Sequence, residues 1–227
     1  MRTLVIGDIH GGHKALVQCL ERSKFDYEED ELICLGDVCD GWPETPECID
    51  ELLKIKNLIY ILGNHDKWLM DYFNLGATPI MWTEQGGQAT IDAYMRNPVK
   101  IIAHRDFFNS ANYYMVDEED RFFVHGGILK NIPIKEHYLG DFLWSRKLAD
   151  KCLASKSFKG DARFKEIFIG HTTTFQQSDV PLNVGNIWLL DQGAGFEGKL
   201  SILDINTKEF WQSDKVSKLY PDFRGRN

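Results

Sequence analysis

The sequence predicts an α/β fold in four layers, an αββα sandwich of two mixed β-sheets with a helical cap. Three observations carry that expectation. Over the first third, short apolar runs alternate with amphipathic stretches of helical length, as in a parallel or mixed sheet joined by crossover helices. Over the last third, short apolar runs follow one another with turn residues between them, which reads as a second, more antiparallel sheet. Each early run also ends in glycine followed by a cluster of charged and imidazole side chains. That is where open α/β sheets bind their ligands.

Taken in order, TLVIGD reads as a buried strand, and HKALVQCLERS as a helix with Leu16, Cys19 and Leu20 inward. ELICLGD is a second strand. TPECIDELLKI is a helix, with Thr45 as the N-cap and Pro46 at the first helical position. NLIYILGN is a third strand. The segment Lys67–Ala111 carries Trp68, Trp82 and a GGQ turn, and is expected to be mostly helical, a cap laid over the sheet. RFFVHGG, EIFIGHT, NVGNIWLLDQG, GKLSILDI and EFWQS are then strands of the second sheet, with a hairpin turn at Asn206-Thr207. There is no linker and no repeat, so residues 1–227 are expected to form one domain, with the cap at about 67–111.

Composition narrows the function. Hydrophobic residues make up 43% of the chain and charged residues 26%, enough for a substantial core and against disorder. A net charge of −8 gives no general affinity for nucleic acid. No apolar run has the length of a membrane span, and no secretory signal is visible, so a cytoplasmic location is expected. The cysteines Cys19, Cys34, Cys39, Cys48 and Cys152 follow no zinc spacing and read as reduced thiols. Cys39 is read as a small filler.

The strand ends carry the chemistry. The first gives Asp8 and His10, the second Asp37 and Asp40, the third Asn64, His65 and Asp66. Two later strands end in His125-Gly126-Gly127 and Gly170-His171-Thr172. Asp8, His10, Asp37, Asn64, His125 and His171 are oxygen and nitrogen donors. Six are too many for one catalytic ion with an open position. They fit two ions about 3.5–4 Å apart, sharing a carboxylate, which could clamp a phosphoryl oxygen. His13, His104 and His137 lack the strand-end pattern and read as surface or packing residues.

The order GDIHG, GDVCD, GNHD, HGG, GHT resembles the calcineurin-like metallophosphoesterases. It is closest to their phosphoprotein phosphatase branch, with bacterial and phage serine/threonine phosphatases and symmetrical diadenosine tetraphosphatases. GGQATIDAY, FLWSR and LLDQGAGFEGKLSILD are also similar to stretches of that branch. The resemblance implies the following roles. Asp8 and His10 hold a first metal, Asp37 bridges, and Asn64, His125 and His171 complete the second site. His65 is the general acid, oriented by Asp40, and Arg146 binds substrate phosphate together with Asn64. The cofactors implied are two divalent ions, manganese first, with iron, zinc, nickel or cobalt as alternatives. The implied reaction is hydrolysis of a phosphate ester by a metal-bridging hydroxide, on a phosphoprotein, a nucleotide or a phosphorylated small molecule. A phosphomonoesterase of serine/threonine phosphatase type is the first expectation.

One departure counts against it. The branch continues GDxxD with Arg-Gly, whereas here Gly41 and Trp42 follow. Loss of a bidentate phosphate contact favours a phosphodiesterase or dinucleoside polyphosphate hydrolase. Trp42 could then stack on substrate or pack on the cap, and Arg105, Lys67 or another cation could replace the missing one from the cap. Restoring arginine at position 41 is expected to raise monoester activity. The closing KVSKLYPDFRGRN is read as carrying no chemistry.

Overall fold

The computed structural model describes residues 1–226. The chain opens with strand β1 (Thr3–Ile6), helix α1 (His13–Arg22), β2 (Glu31–Cys34), α2 (Thr45–Leu52) and β3 (Asn57–Tyr60). The three strands are parallel, with β1 beside β2 and β2 beside β3. Helices α3 (Asn64–Leu75), α4 (Ile80–Trp82), α5 (Gln88–Arg96) and α6 (Ile101–Asn109) follow. Then come β4 (Tyr114–Val116), β5 (Arg121–Val124), α7 (Leu139–Trp144), α8 (Lys147–Ala154), β6 (Glu166–Ile169), β7 (Leu182–Val184) and β8 (Ile187–Leu189). The chain closes with β9 (Ser201–Asp204), β10 (Phe210–Gln212) and α9 (Val216–Leu219).

Two five-stranded sheets result, in the orders β10-β9-β1-β2-β3 and β4-β5-β6-β8-β7. The layering follows from the two-residue period of a strand. In β1, Leu4 and Ile6 join a core with α1 and α2, while Val5 faces the other sheet. In β5 and β6, Phe122, Val124, Ile167 and Ile169 face a helix-side core, while Phe123 and Phe168 turn inward. The inward pair stack with ring centroids 4.9 Å apart. Burying each of these rings stabilises the fold by about 1.5–3 kcal/mol.

The expected αββα arrangement is present, but its strands divide differently. β9 and β10 belong to the first sheet, where β9 runs antiparallel to β1. The second sheet is half parallel: β5, β6 and β8 run the same way, with β4 and β7 antiparallel at its edges. A hairpin does join β9 to β10, and the Asp204 carboxylate accepts from the Asn206 and Thr207 amides in its turn.

Two local expectations are also corrected. Glu44, not Thr45, is the residue before α2, and Pro46 is the second helical position. The Thr45 hydroxyl is instead 3.1 Å from that of Thr90. The segment 67–111 is helical, with a left-handed Gly86 breaking the path between α4 and α5. It is less a lid than a flank. Trp82, Tyr94, Phe107 and Phe108 share the buried cluster of Leu32 and Ile49. Just beyond it, the Asn112 amide donates to the Tyr60 carbonyl, covering the edge of β3.

Candidate active site

Five strand ends converge between the sheets. Asp8, His10, Asp37, Asn64, His125 and His171 are all buried. Asp8, His10 and Asp37 form one group able to hold an ion, and Asp37, His125 and His171 form another. Asp37 is common to both. His10 Nε2 lies 3.8 Å and His125 Nε2 3.4 Å from the same Asp37 oxygen. Asn64 Oδ1 is 2.9 Å from His125 Nε2. His10, Asp37, Asp40 and His171 have φ of 53°, 51°, 74° and 60°. Left-handed backbone at non-glycine residues costs about 1–3 kcal/mol each and clusters at functional sites.

Asp66 holds these loops in place. At the third position of α3, it accepts from the amides of Asp37, Val38 and Gly63 and from the Tyr60 hydroxyl at 2.7–3.0 Å. Its carboxyl is pushed up to about 6 by burial and by the charge of Asp37. Cys39 fills space beside it, with Sγ 3.5 Å from an Asp66 oxygen.

The donors fit a pair of divalent ions. His10 Nδ1 lies 3.0 Å from the Cys39 carbonyl and His125 Nδ1 2.8 Å from the Leu35 carbonyl. Those bonds fix each ring and turn Nε2 toward the carboxylates, the outer-shell pattern of ligating histidines. Burial, then Asp191, pushes the Asp8 carboxyl well up. Burial pushes Asp37 the same way, but His125, His65 and His10 together outweigh it and hold Asp37 well below the usual range. Burial would lower His125, yet contact with Asp37 raises it to about 9. Burial, then His125, lowers His171 to about 2, and His10 lies well below its usual value through burial and Arg226. Buried carboxylates beside the imidazoles of His10 and His171, which burial keeps neutral, are a ready cation site.

His65 sits at the edge of this cluster. Its Nδ1 is 2.6 Å from Asp40 Oδ2, which also accepts from the Trp82 indole at 2.7 Å. The backbone amide of Asp40 donates to the Thr90 hydroxyl at 2.9 Å. His65 Nε2 is buried without a partner among the described residues. The ring stands edge-on to His10, with centroids 5.2 Å apart. This geometry leaves one ring nitrogen for a proton transfer.

Arg146 is exposed next to the second group and donates to the His171 carbonyl at 2.9 Å. The two named substitutes for the missing arginine are engaged elsewhere. Lys67 Nζ is tied to Asp71, and Arg105 lies against Asp106. Trp42 is buried, so it cannot stack on substrate, and it packs on the closing segment rather than on the cap. Its ring stacks on Tyr220 at 5.3 Å and its indole donates to the Ala194 carbonyl. That segment therefore docks, and its Arg226 reaches His10. Asn227 lies outside the described residues.

Sequence reasoning thus missed Asp66 as the organiser of the loops, and Arg226. The repeated glycines of the site and the Arg-Gly-Arg of the closing segment were the only signals for Arg226. His104 is a packing residue as expected, held between Tyr94 and Asp50.

A four-layer fold with a buried carboxylate–imidazole cluster at its strand ends defines a metal-dependent hydrolase of phosphoric esters. The chain belongs to the calcineurin-like phosphoesterase family, whose model matches residues 1–192. Serine/threonine-protein phosphatase 1 of Salmonella typhimurium is 24% identical over 225 residues, spanning 88% of this chain and 90% of that protein. The symmetrical bis(5'-nucleosyl)-tetraphosphatase of Coxiella burnetii is 28% identical over 60% of this chain, a match that takes in only 45% of that protein. Among solved structures, a candidate diadenosine tetraphosphatase superposes with a TM-score of 0.67 at 15% identity, over 93% of this chain and 92% of that one. That last likeness speaks to fold alone. Among the described residues no helix is long and apolar enough to cross a membrane.

Proposed function

We propose that this chain is a two-metal phosphomonoesterase of serine/threonine protein phosphatase type. The observation that supports it most is that one buried carboxylate, Asp37, belongs to both ligand groups while His65 Nε2 stands unpartnered beside them. Two divalent ions, manganese first, would polarise the phosphoryl group and activate water. Asp8, His10 and Asp37 would hold one ion, and Asp37, Asn64, His125 and His171 the other. His65 would hold a proton at Nε2 for the leaving oxygen, with Asp40 fixing the ring through Nδ1. Arg146 would bind phosphoryl oxygens with a planar fork that lysine lacks. The five buried, unpaired cysteines suit a reducing compartment such as the cytoplasm.

A second reading, hydrolysis of a diester or dinucleoside polyphosphate, is favoured by one feature. A cavity of about 420 Å³ beside the site is lined by Phe175, Phe196 and Phe223 together with Arg226. Aromatic faces suit a nucleobase. Manganese-dependent rates on p-nitrophenyl phosphate, bis-p-nitrophenyl phosphate and diadenosine tetraphosphate, measured side by side, separate the two. Preference for the monoester is the expected result. A dinucleotide rate well above both chromogenic esters would move the assignment to the second reading.

A further inference from the structure

The closing segment crosses the site in a way that packing alone does not require. Beyond α9, Tyr220 stacks on Trp42 and hydrogen-bonds Glu44. The Arg226 amide donates to the Gly195 carbonyl at 2.7 Å, and its guanidinium lies over the Phe196 ring at 5.1 Å. Its Nη1 then donates to His10 Nε2 at 3.1 Å, while Nε and Nη2 donate to the carbonyl and side-chain oxygens of Gln85. The path is cut for this side chain. A Cβ at Gly41 or Gly195 would stand 3.0 Å from the Arg226 stem, and Gly41 itself is left-handed with φ of 103°.

We infer that Arg226 is a substrate-binding residue: its guanidinium grips the phosphoryl group from the side of Asp8, His10 and Asp37, opposite Arg146 on the side of His171. This rests on the phosphoesterase reading above. Three considerations carry it. The bonds to Gln85 and His10 leave one N–H on each of Nη1 and Nη2 free for phosphoryl oxygens. The lone pair of His10 Nε2 can serve a guanidinium or a metal ion but not both, so metal loading frees a further N–H on Nη1. A guanidinium fixed beside divalent cations is repelled unless an anion shares the site. The aromatic and main-chain anchors that keep it there are therefore best explained by a bound anion.

The test is orthophosphate binding to the manganese-loaded protein by calorimetry, together with KM for p-nitrophenyl phosphate. Arg226→Ala and Arg226→Gln should each weaken phosphate binding and raise KM by about 10–100-fold, the worth of a charge-assisted contact. Arg226→Gln keeps the aliphatic stem against Gly41 and Gly195 and the main-chain bond to the Gly195 carbonyl, so the closing segment stays in place. The exposed Lys56→Ala, at the opposite end of β3 from Asn64, should match the wild type in both measurements. Retained phosphate affinity in Arg226→Gln would overturn the inference. So would tighter manganese binding with faster turnover in Arg226→Ala, which would make the segment a plug. A wild-type protein that binds manganese but neither binds phosphate nor hydrolyses any ester would overturn the phosphoesterase reading itself, and this inference with it.

Discussion

The two sides of the site are built on different plans. The metal-facing side comes from loops at strand ends, is buried, and is wired to itself through Asp66, Asp40 and two backbone carbonyls. The side we propose to face the anion comes from two arginines on separate, more exposed segments, each resting on a histidine of the cluster: Arg146 on the His171 carbonyl and Arg226 on the His10 ring. The contrast suggests a division of labour. Metal and proton chemistry needs atoms fixed to a fraction of an ångström, which local wiring supplies. Recognition of a charged group tolerates a longer reach, so it can be assembled from remote chain.

That contrast can be broken by substitution. The largest effect should come from His65→Ala. Turnover on esters with poor leaving groups should fall by about 10²–10⁴-fold, and much less on p-nitrophenyl phosphate. Equal losses across a leaving-group series would remove His65 as the acid. Next, Asp66→Asn leaves one carbonyl acceptor where two oxygens serve the Asp37, Val38, Gly63 and Tyr60 donors. It should cost about 2–4 kcal/mol in urea melts and weaken manganese binding, because buried donors lose their partner. An unchanged midpoint would show that the loops hold without it.

A smaller effect is expected at Gly41→Arg. The added side chain meets the Arg226 stem and strained backbone, so the substitution should destabilise by about 1–3 kcal/mol and give no gain in monoester rate. This reverses the expectation drawn from the sequence, and a clear rise in rate would show that the closing segment yields. The smallest effect lies far from the site. Burial would push the Asp30 carboxyl up, but hydrogen bonds from Arg2 and Asp26 outweigh it and hold it below its ordinary 3.8. The folded-state value is the depressed one. Its contribution is therefore full above about pH 4 and fades as pH falls through the lower folded value. Asp30→Asn should cost about 1–2 kcal/mol at pH 7 and less at pH 3, read from urea midpoints. A cost that does not shrink at pH 3 would exclude the ionic contact as its source.

Much of the metal-facing side was legible because its motifs are local. Asp8, His10, Asp37, Asn64, His65, His125 and His171 each follow an apolar run that declares a strand end. Burial of β1, β5 and β6 on both faces likewise follows from their continuous apolar runs. Strand partners are a different matter. Nothing in SILD says that it pairs with LVI at the other end of the chain, and β4 has only three residues, two of them exposed. Arg226 was illegible for the same reason. Its meaning depends on Gly41, Gly195 and Gln85, which only folding brings to it.

The pairing of β9 with β1 has a consequence for how the chain is made. Ile6 meets Ile202 across almost the whole length of the sequence, so closure of the first sheet is entropically late. Until residues 201–204 have been synthesised, β1 presents an open, fully apolar edge of Leu4, Val5 and Ile6. A nascent chain that lacks β9 is thus expected to expose an apolar strand edge of the kind that promotes aggregation, whatever the stability of the finished enzyme.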